Sequence, residues 1–100
     1  MKAVFAGTVL ADADESQLVL FEGDHYFPAA TVHPAALVQG TTIDADDDRG
    51  PRQYLSAVID GEKHDDVAWS YPEPSDAAIG RAGVDFTDFV AFGPEVEVRS

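Results

Sequence analysis

Gln53-Tyr54-Leu55-Ser56-Ala57-Val58-Ile59-Asp60-Gly61 reads as a β-strand closed by a tight turn. In an extended chain Leu55, Ala57 and Ile59 fall on one side, the expected core side, and Tyr54, Ser56 and Val58 on the other. Asp-Gly suits a two-residue hairpin turn, which needs positive φ at both central positions. Residues 65–71 then supply an extended stretch in which Val67, Trp69 and Tyr71 alternate, so Trp69 and Tyr71 are expected to point to one side. Pro72 and Pro74 end it, because proline has no N–H to give a ladder. Ala68-Trp69-Ser70-Tyr71-Pro72-Glu73-Pro74 holds the only Trp of the chain and two of its six prolines. It is the segment around which a core or a pocket rim is expected to form.

The same pattern extends in both directions. Residues 2–6 and 8–12 read as short strands around Gly7, with a polar turn after them at residues 13–16. Gln17-Leu18-Val19-Leu20-Phe21-Glu22 is apolar on both faces, which predicts a central strand. Gly23-Asp24 is a second hairpin signal, and His25-Tyr26-Phe27 returns until Pro28. Pro34 suits the first position of a helical turn over Pro34-Ala35-Ala36-Leu37, ended by Gly40. Thr41-Thr42-Ile43 is a short extended piece, and Asp44 to Arg52 a charged loop. Ser75 caps a short helix over Asp76-Ala77-Ala78-Ile79, and residues 87–92 and 95–99 are further strands. Seven or eight short strands at regular spacing predict a mainly β fold. The form expected is a small antiparallel sandwich or open barrel with one or two short helices, in a single domain over residues 1–100.

Composition narrows the function classes. With no cysteine, disulfides, thiolate zinc sites and cysteine nucleophiles are excluded. No apolar run approaches the ~20 residues that span a bilayer. Met1-Lys2-Ala3-Val4-Phe5 is interrupted too soon by Gly7 and Thr8 for a secretory signal. A cytoplasmic protein with no membrane partner is expected. Nineteen Asp and Glu face six Lys and Arg, a formal net charge of −13. Phosphate neutralisation needs clustered cations, so a nucleic-acid partner is not expected. Such a charge repels itself in dilute salt, and the composition is that expected of a protein adapted to concentrated salt.

Several constellations bear on chemistry. Asp44-x-Asp46-x-Asp48 imitates the start of a calcium loop, but Arg49 stands where the turn glycine belongs and Leu55 where the closing Glu belongs. A solvated acidic loop is the expectation, with no metal site and no cofactor. Tyr26, Tyr54, Trp69 and Tyr71 are large rings with polar tips, suited either to a core or to a cleft for a small flat ligand. Arg49 stands out where cations are few, as a partner for an anion or for a neighbouring Asp. His25, beside a turn and next to Tyr26, is the candidate acid–base group, since imidazole titrates near neutrality. Arg81 is either an anion contact or half of a local ion pair. No serine has the glycine-flanked elbow of a hydrolase nucleophile.

Gly7-Thr8-Val9-Leu10-Ala11, Glu22-Gly23-Asp24-His25-Tyr26-Phe27-Pro28, Tyr54 with Val58-Ile59-Asp60-Gly61-Glu62, Ala68 to Pro74, Ile79 and Phe89-Val90-Ala91-Phe92 occur in an order and spacing that resemble domain of unknown function 427. That is a family of small prokaryotic proteins sometimes labelled nucleotidyltransferase-like. The resemblance covers nearly the whole chain, implies a compact, mostly β domain similar to the β-tent architecture, and implies no particular activity. The acid excess is what would be expected of a halophilic archaeal member, an ordinary acidic protein being the alternative. The chain departs from the family where members typically carry Cys-Pro-Trp-Lys-Gly: here Asp46-Asp47-Asp48-Arg49-Gly50 stands. The nucleotidyltransferase label finds no support, because no Gly-rich phosphate cradle is present.

These readings converge on a binding module for a small molecule or anion, monomeric or weakly dimeric, with a cleft near Tyr26, Arg49, Tyr54, Trp69 and Tyr71. Two alternatives are a small enzyme on a nucleotide-like or other anionic substrate, with Arg49 holding the anion and His25 as acid–base group, and a protein-interaction module docking through its proline-rich rim. The charge alone yields a test. Above ~0.5–1 M salt the Debye length falls to a few Å and screens the repulsion. The melting temperature is therefore expected to climb by many degrees between ~0.1 M and ~2 M KCl. Replacing several of Asp44, Asp46, Asp47 and Asp48 by Lys should flatten the climb. A melting temperature indifferent to KCl would overturn the salt-adapted reading.

Overall fold

A computed structural model describes residues 1–100. Nine strands run in chain order: β1 (Lys2–Phe5), β2 (Thr8–Asp12), β3 (Val19–Phe21), β4 (Asp24–Tyr26), β5 (Leu37–Asp44), β6 (Arg52–Ile59), β7 (Glu62–Ser70), β8 (Val90–Phe92) and β9 (Glu97–Arg99). One helix, α1 (Asp76–Ala82), lies between β7 and β8, and two 3-10 turns cover Glu15–Gln17 and Ala29–Thr31. The strands form three antiparallel sheets of order β2-β1-β9, β3-β4 and β5-β6-β7-β8, none closed into a barrel.

The four-stranded sheet is the middle layer. Along β8, Val90 and Phe92 belong to one apolar cluster and Ala91 to another. Successive side chains of a strand face opposite ways, so the two clusters lie on opposite faces of the sheet. The first fills the space against β1 and β2 through Ala3, Leu10 and Ala11, and the second lies against β3, β4 and α1 through Phe21, Tyr26 and Ala78. All three residues of β8 are buried, as a strand covered on both faces must be.

Three two-residue turns, Ala6-Gly7, Glu22-Gly23 and Asp60-Gly61, have positive φ at both positions, the geometry whose twist matches a hairpin. The second is centred one residue before the expected Gly23-Asp24, and Asp24 already belongs to β4. Ser75 caps α1 as expected: its Oγ accepts from the Ala78 amide at 3.1 Å, and Gly83 closes the helix in the left-handed region.

Two expectations are corrected. The stretch 17–22 is not central, because only Val19–Phe21 is a strand, and it belongs to a two-stranded sheet. Val19 and Phe21 are buried while Leu20 is 64% exposed, so apolar character on both faces did not mean cover on both faces. Residues 34–37 do not open a helix. They make a single turn, with the Ala36 amide donating to the His33 carbonyl at 3.0 Å, and Leu37 begins β5. Pairing of Leu37–Gln39 with Ala57–Leu55 outweighs local preference there, and Gly40 lies inside the strand rather than ending a helix.

Two bulges flank the middle of β6. Gly40–Thr42 lie opposite the single residue Tyr54, and Asp65–Val67 opposite Ser56, with Asp66 at φ 57°. Bulges bend a strand and re-aim its side chains. Here Val67 joins the first cluster although Trp69, two residues on, packs with the second. The first bulge is filled by buried Gln53, whose Nε2 donates to the carbonyls of Gly40 (2.9 Å), Thr42 (3.3 Å) and Tyr54 (2.8 Å), while its Oε1 accepts from Gln39 Nε2 at 3.0 Å.

The loop between β5 and β6 is clamped to the segment after β7. The Ser75 amide donates to the Arg49 carbonyl at 2.8 Å and Ser75 Oγ to the Asp48 carbonyl at 3.3 Å. Gly50 sits at φ 112°, and a Cβ there would lie 2.3 Å from the Glu73 carbonyl oxygen. Gly50→Ala is therefore expected to cost at least about 2 kcal/mol, from strained φ and from forcing the two segments apart. That is a fall of roughly 10 °C in melting temperature for a domain of this size. Gly61→Ala, with nothing within 4 Å of the new Cβ, should cost about 1 kcal/mol, the conformational penalty alone. Thermal melts showing equal losses would mean that the two loops are not held together.

Candidate functional site

Arg52 and Tyr54 lie two residues apart on β6 and so share a face, and Tyr54 pairs with Trp69 across to β7. Tyr71 follows just beyond the end of β7. These positions gather three rings around one guanidinium. Arg52 Nε and Nη2 donate to Tyr71 Oη at 2.9 and 2.7 Å, and Nη1 donates to Tyr54 Oη at 3.2 Å. The guanidinium carbon lies 4.7 Å from the Trp69 ring centre, 5.4 Å from that of Tyr71 and 5.7 Å from that of Tyr54. A cation held over ring faces gains from their quadrupoles, and more when water is kept away.

The second half of the site comes from the clamped loop. Asp47 has a side chain only 3% exposed. Arg49 grips it with Nε on Oδ1 at 2.8 Å, Nη2 on Oδ2 at 3.0 Å and its own backbone amide on Oδ1 at 2.9 Å. Tyr71 Oη donates to Oδ2 at 3.3 Å, and Arg52 Nε stands 3.4 Å from the same oxygen. Arg49 also reaches Glu22 with Nη1 at 3.0 Å. Beneath these, Trp69 Nε1 donates to Tyr26 Oη at 3.2 Å, and Tyr26 packs on Tyr71 and Phe86 at ring separations of 6.3 and 5.5 Å. No buried side-chain polar atom lacks a partner.

The titration behaviour follows. Burial pushes the Tyr71 and Tyr26 phenols up, and neither the Arg52 bonds to Tyr71 nor the Trp69 bond to Tyr26 reverses it. Burial also pushes the Asp47 carboxyl up, but its bonds from Arg49 and the charges of Arg49 and Arg52 outweigh that and hold it below the usual carboxylate range. Arg49 is raised, first by its bond to Asp47. These shifts favour charged Asp47, Arg49 and Arg52 and protonated Tyr26 and Tyr71 near neutrality.

Residues 1–99 match the family described as Domain of unknown function (DUF427). The chain belongs to that family. No curated protein matches it. In this DUF427 domain the loop between β5 and β6 inserts Asp47 among the rings. Only Asp47 of the run Asp46-Asp47-Asp48 turns inward; Asp46 and Asp48 are exposed, as is Asp44 before them. No group of three or more His, Asp or Glu is placed to hold a metal ion.

Tyr26, Arg49, Tyr54, Trp69 and Tyr71 are thus brought into one cluster, but they do not line an open cleft. A cavity of about 250 Å³ is walled instead by Ile43, Pro51, Gln53, Pro72 and Glu73, none of them a member of the cluster. Pro51 adjoins Arg52 and Pro72 adjoins Tyr71 in the chain. His25 stands apart: it pairs with Leu20 across the β3–β4 hairpin, and alternation turns it away from buried Tyr26. Arg81 lies over the Phe21 ring at 5.7 Å on the helix side of the second cluster. Sequence reasoning missed Arg52 and Asp47. The signal for Arg52 was its place two residues before Tyr54, on the ring face of β6. Nothing in the acidic run marks Asp47.

The Asp47 pKa gives a pH test. A carboxylate depressed in the folded state contributes stability that is present above its unfolded value and lost as pH falls through the folded one. Breaking a buried ion pair costs about 3 kcal/mol. The parent chain is expected to exceed Asp47→Asn by roughly that amount above about pH 5, and the gap to shrink below about pH 4. Urea denaturation of both proteins across this range checks it; a gap that does not narrow on acidification overturns the assignment.

Proposed function

We propose that this domain is a binding module for a small, flat anionic ligand, which rests against Tyr54 and Trp69 beside Arg52 and Arg49. The observation that carries the reading is the placing of Arg52. In a chain with six basic residues against nineteen acidic ones, a guanidinium is held 4.7 Å over the Trp69 ring and fixed by two phenols. Tyr54 and Trp69 are only partly buried, so part of this surface meets solvent. Rings with a few fixed polar groups are the common make-up of small-ligand sites, and a guanidinium suits planar anions because its donors form a rigid fork. The bulge opposite Tyr54 supports the same reading, since bulges recur where a side chain is aimed for a purpose.

Trp69 is the only tryptophan, so its indole N–H gives one NMR signal that reports on this surface. Titration with benzoate, nicotinate and nucleoside monophosphates at constant ionic strength is expected to move that signal saturably for at least one of them. The uncharged benzamide should have no comparable effect. Arg52→Gln, checked for folding by circular dichroism, should weaken the response at least ~10-fold, about 1.4 kcal/mol. An indole signal unmoved by every anion up to ~10 mM, a range that reveals even millimolar affinity, overturns the proposal.

A further inference from the structure

We propose that Asp47 is a built-in occupant of the anion site, and that the group the site is shaped to take is a carboxylate. The inference rests on the binding reading above and names its ligand class. The Asp47 carboxylate receives what a bound carboxylate would: two donors of the Arg49 fork at 2.8 and 3.0 Å, a backbone N–H at 2.9 Å, the Tyr71 hydroxyl at 3.3 Å, and the Arg52 charge at 3.4 Å. Planar two-point recognition of this kind is the geometry that arginine offers a carboxylate. The carboxylate comes from a loop, whereas Arg52 and the rings stand on or beside the middle strands of the four-stranded sheet.

The loop backbone is fixed at Asp48 and Arg49 by Ser75 and at Gly50 by its approach to Glu73. Exchange therefore consists of turning one side chain outward, where it joins exposed Asp44, Asp46 and Asp48. A ligand carboxylate must compete with a partner that is covalently attached and present at high effective concentration. The parent chain should accordingly bind simple carboxylates weakly, and removal of the Asp47 charge should unmask the site.

The test uses the full chain and Asp47→Asn, whose Oδ1 still accepts from the Arg49 amide. The probe is acetate at about pH 7, against chloride at matched ionic strength. For Asp47→Asn, ~0.1 M acetate is expected to raise the melting temperature by about 5 °C more than chloride does. It should also shift the Arg49 and Arg52 Nε–H signals saturably, with an apparent affinity at least ~10-fold above that of the parent chain. If loss of the charge unfolds the variant, acetate and not chloride should refold it. An acetate effect no larger than that of chloride, or equal in both proteins, overturns the inference. Phosphate acting more strongly than acetate overturns the carboxylate assignment. The two proposals fail separately. Planar anions moving the Trp69 signal equally in both proteins would leave the binding reading standing without the built-in occupant. Acetate rescue of Asp47→Asn with no planar anion acting at Trp69 would overturn the flat-ligand reading and reduce the inference to a carboxylate site that Asp47 fills permanently.

Discussion

The structure depends on what β6 does with two consecutive long polar side chains. Arg52 and Gln53 project to opposite faces of the middle sheet, and each closes a gap that apolar packing could not close. The two N–H groups of Gln53 Nε2 are shared among the carbonyls of Gly40, Tyr54 and, at the longest distance, Thr42, around the bulge. An unpaired buried amide or carbonyl costs about 1–3 kcal/mol, so the bulge is tolerable only with that side chain in place. On the other face Arg52 satisfies two phenols and shares the charge of Asp47. Taking a guanidinium out of water is expensive, and the attraction it gains in return often does no more than offset that cost. Such an arrangement adds little net stability, but it fixes where the rings stand.

The two loops that close over this end follow from the same constraint. Asp47 reaches the rings only because the backbone at Arg49 and Gly50 lies flat against Glu73 and Ser75. The Pro72-Glu73-Pro74 step stops β7 and sets the course of the chain into the Ser75 cap. Proline, glycine and cap residues here act together to hold one carboxylate in place.

This explains which parts of the fold were legible in sequence. Asp60-Gly61, Glu22-Gly23 and the capped helix at Ser75 are local signals, and each lies where it was read or within a residue of it. The length of β5 was not legible. Leu37 and Val38 become strand by pairing with Ala57 and Ser56, some twenty residues away, and the bulge at Gly40–Thr42 breaks the alternation that would have shown it. That Tyr26, Tyr54, Trp69 and Tyr71 gather was legible because aromatic residues with polar tips are few and lie on or beside readable strands. Arg52 was legible in principle from its spacing to Tyr54. Asp47 was not, since Asp46 and Asp48 are chemically identical neighbours and only the clamp at Gly50 decides which one turns inward.

The charge of the chain divides accordingly. Arg49 and Arg52 are matched by Asp47 and Glu22, so the cluster is neutral as a whole. The entire excess of −13 therefore belongs to the rest of the molecule, where the remaining ion pairs, Lys63–Asp65 at 3.7 Å and Arg99–Glu97 at 3.8 Å, are exposed and worth little. Salt acts on that outer shell, because screening reaches exposed charges far more than buried ones. The surface and the cluster are thus two electrostatic systems with different responses. One is repulsive, solvated and tuned by ionic strength; the other is attractive, largely dry and fixed by geometry. If the carboxylate-binding proposal holds, a ligand approaching the cluster crosses the repulsive shell first, so salt that weakens long-range repulsion should assist its arrival.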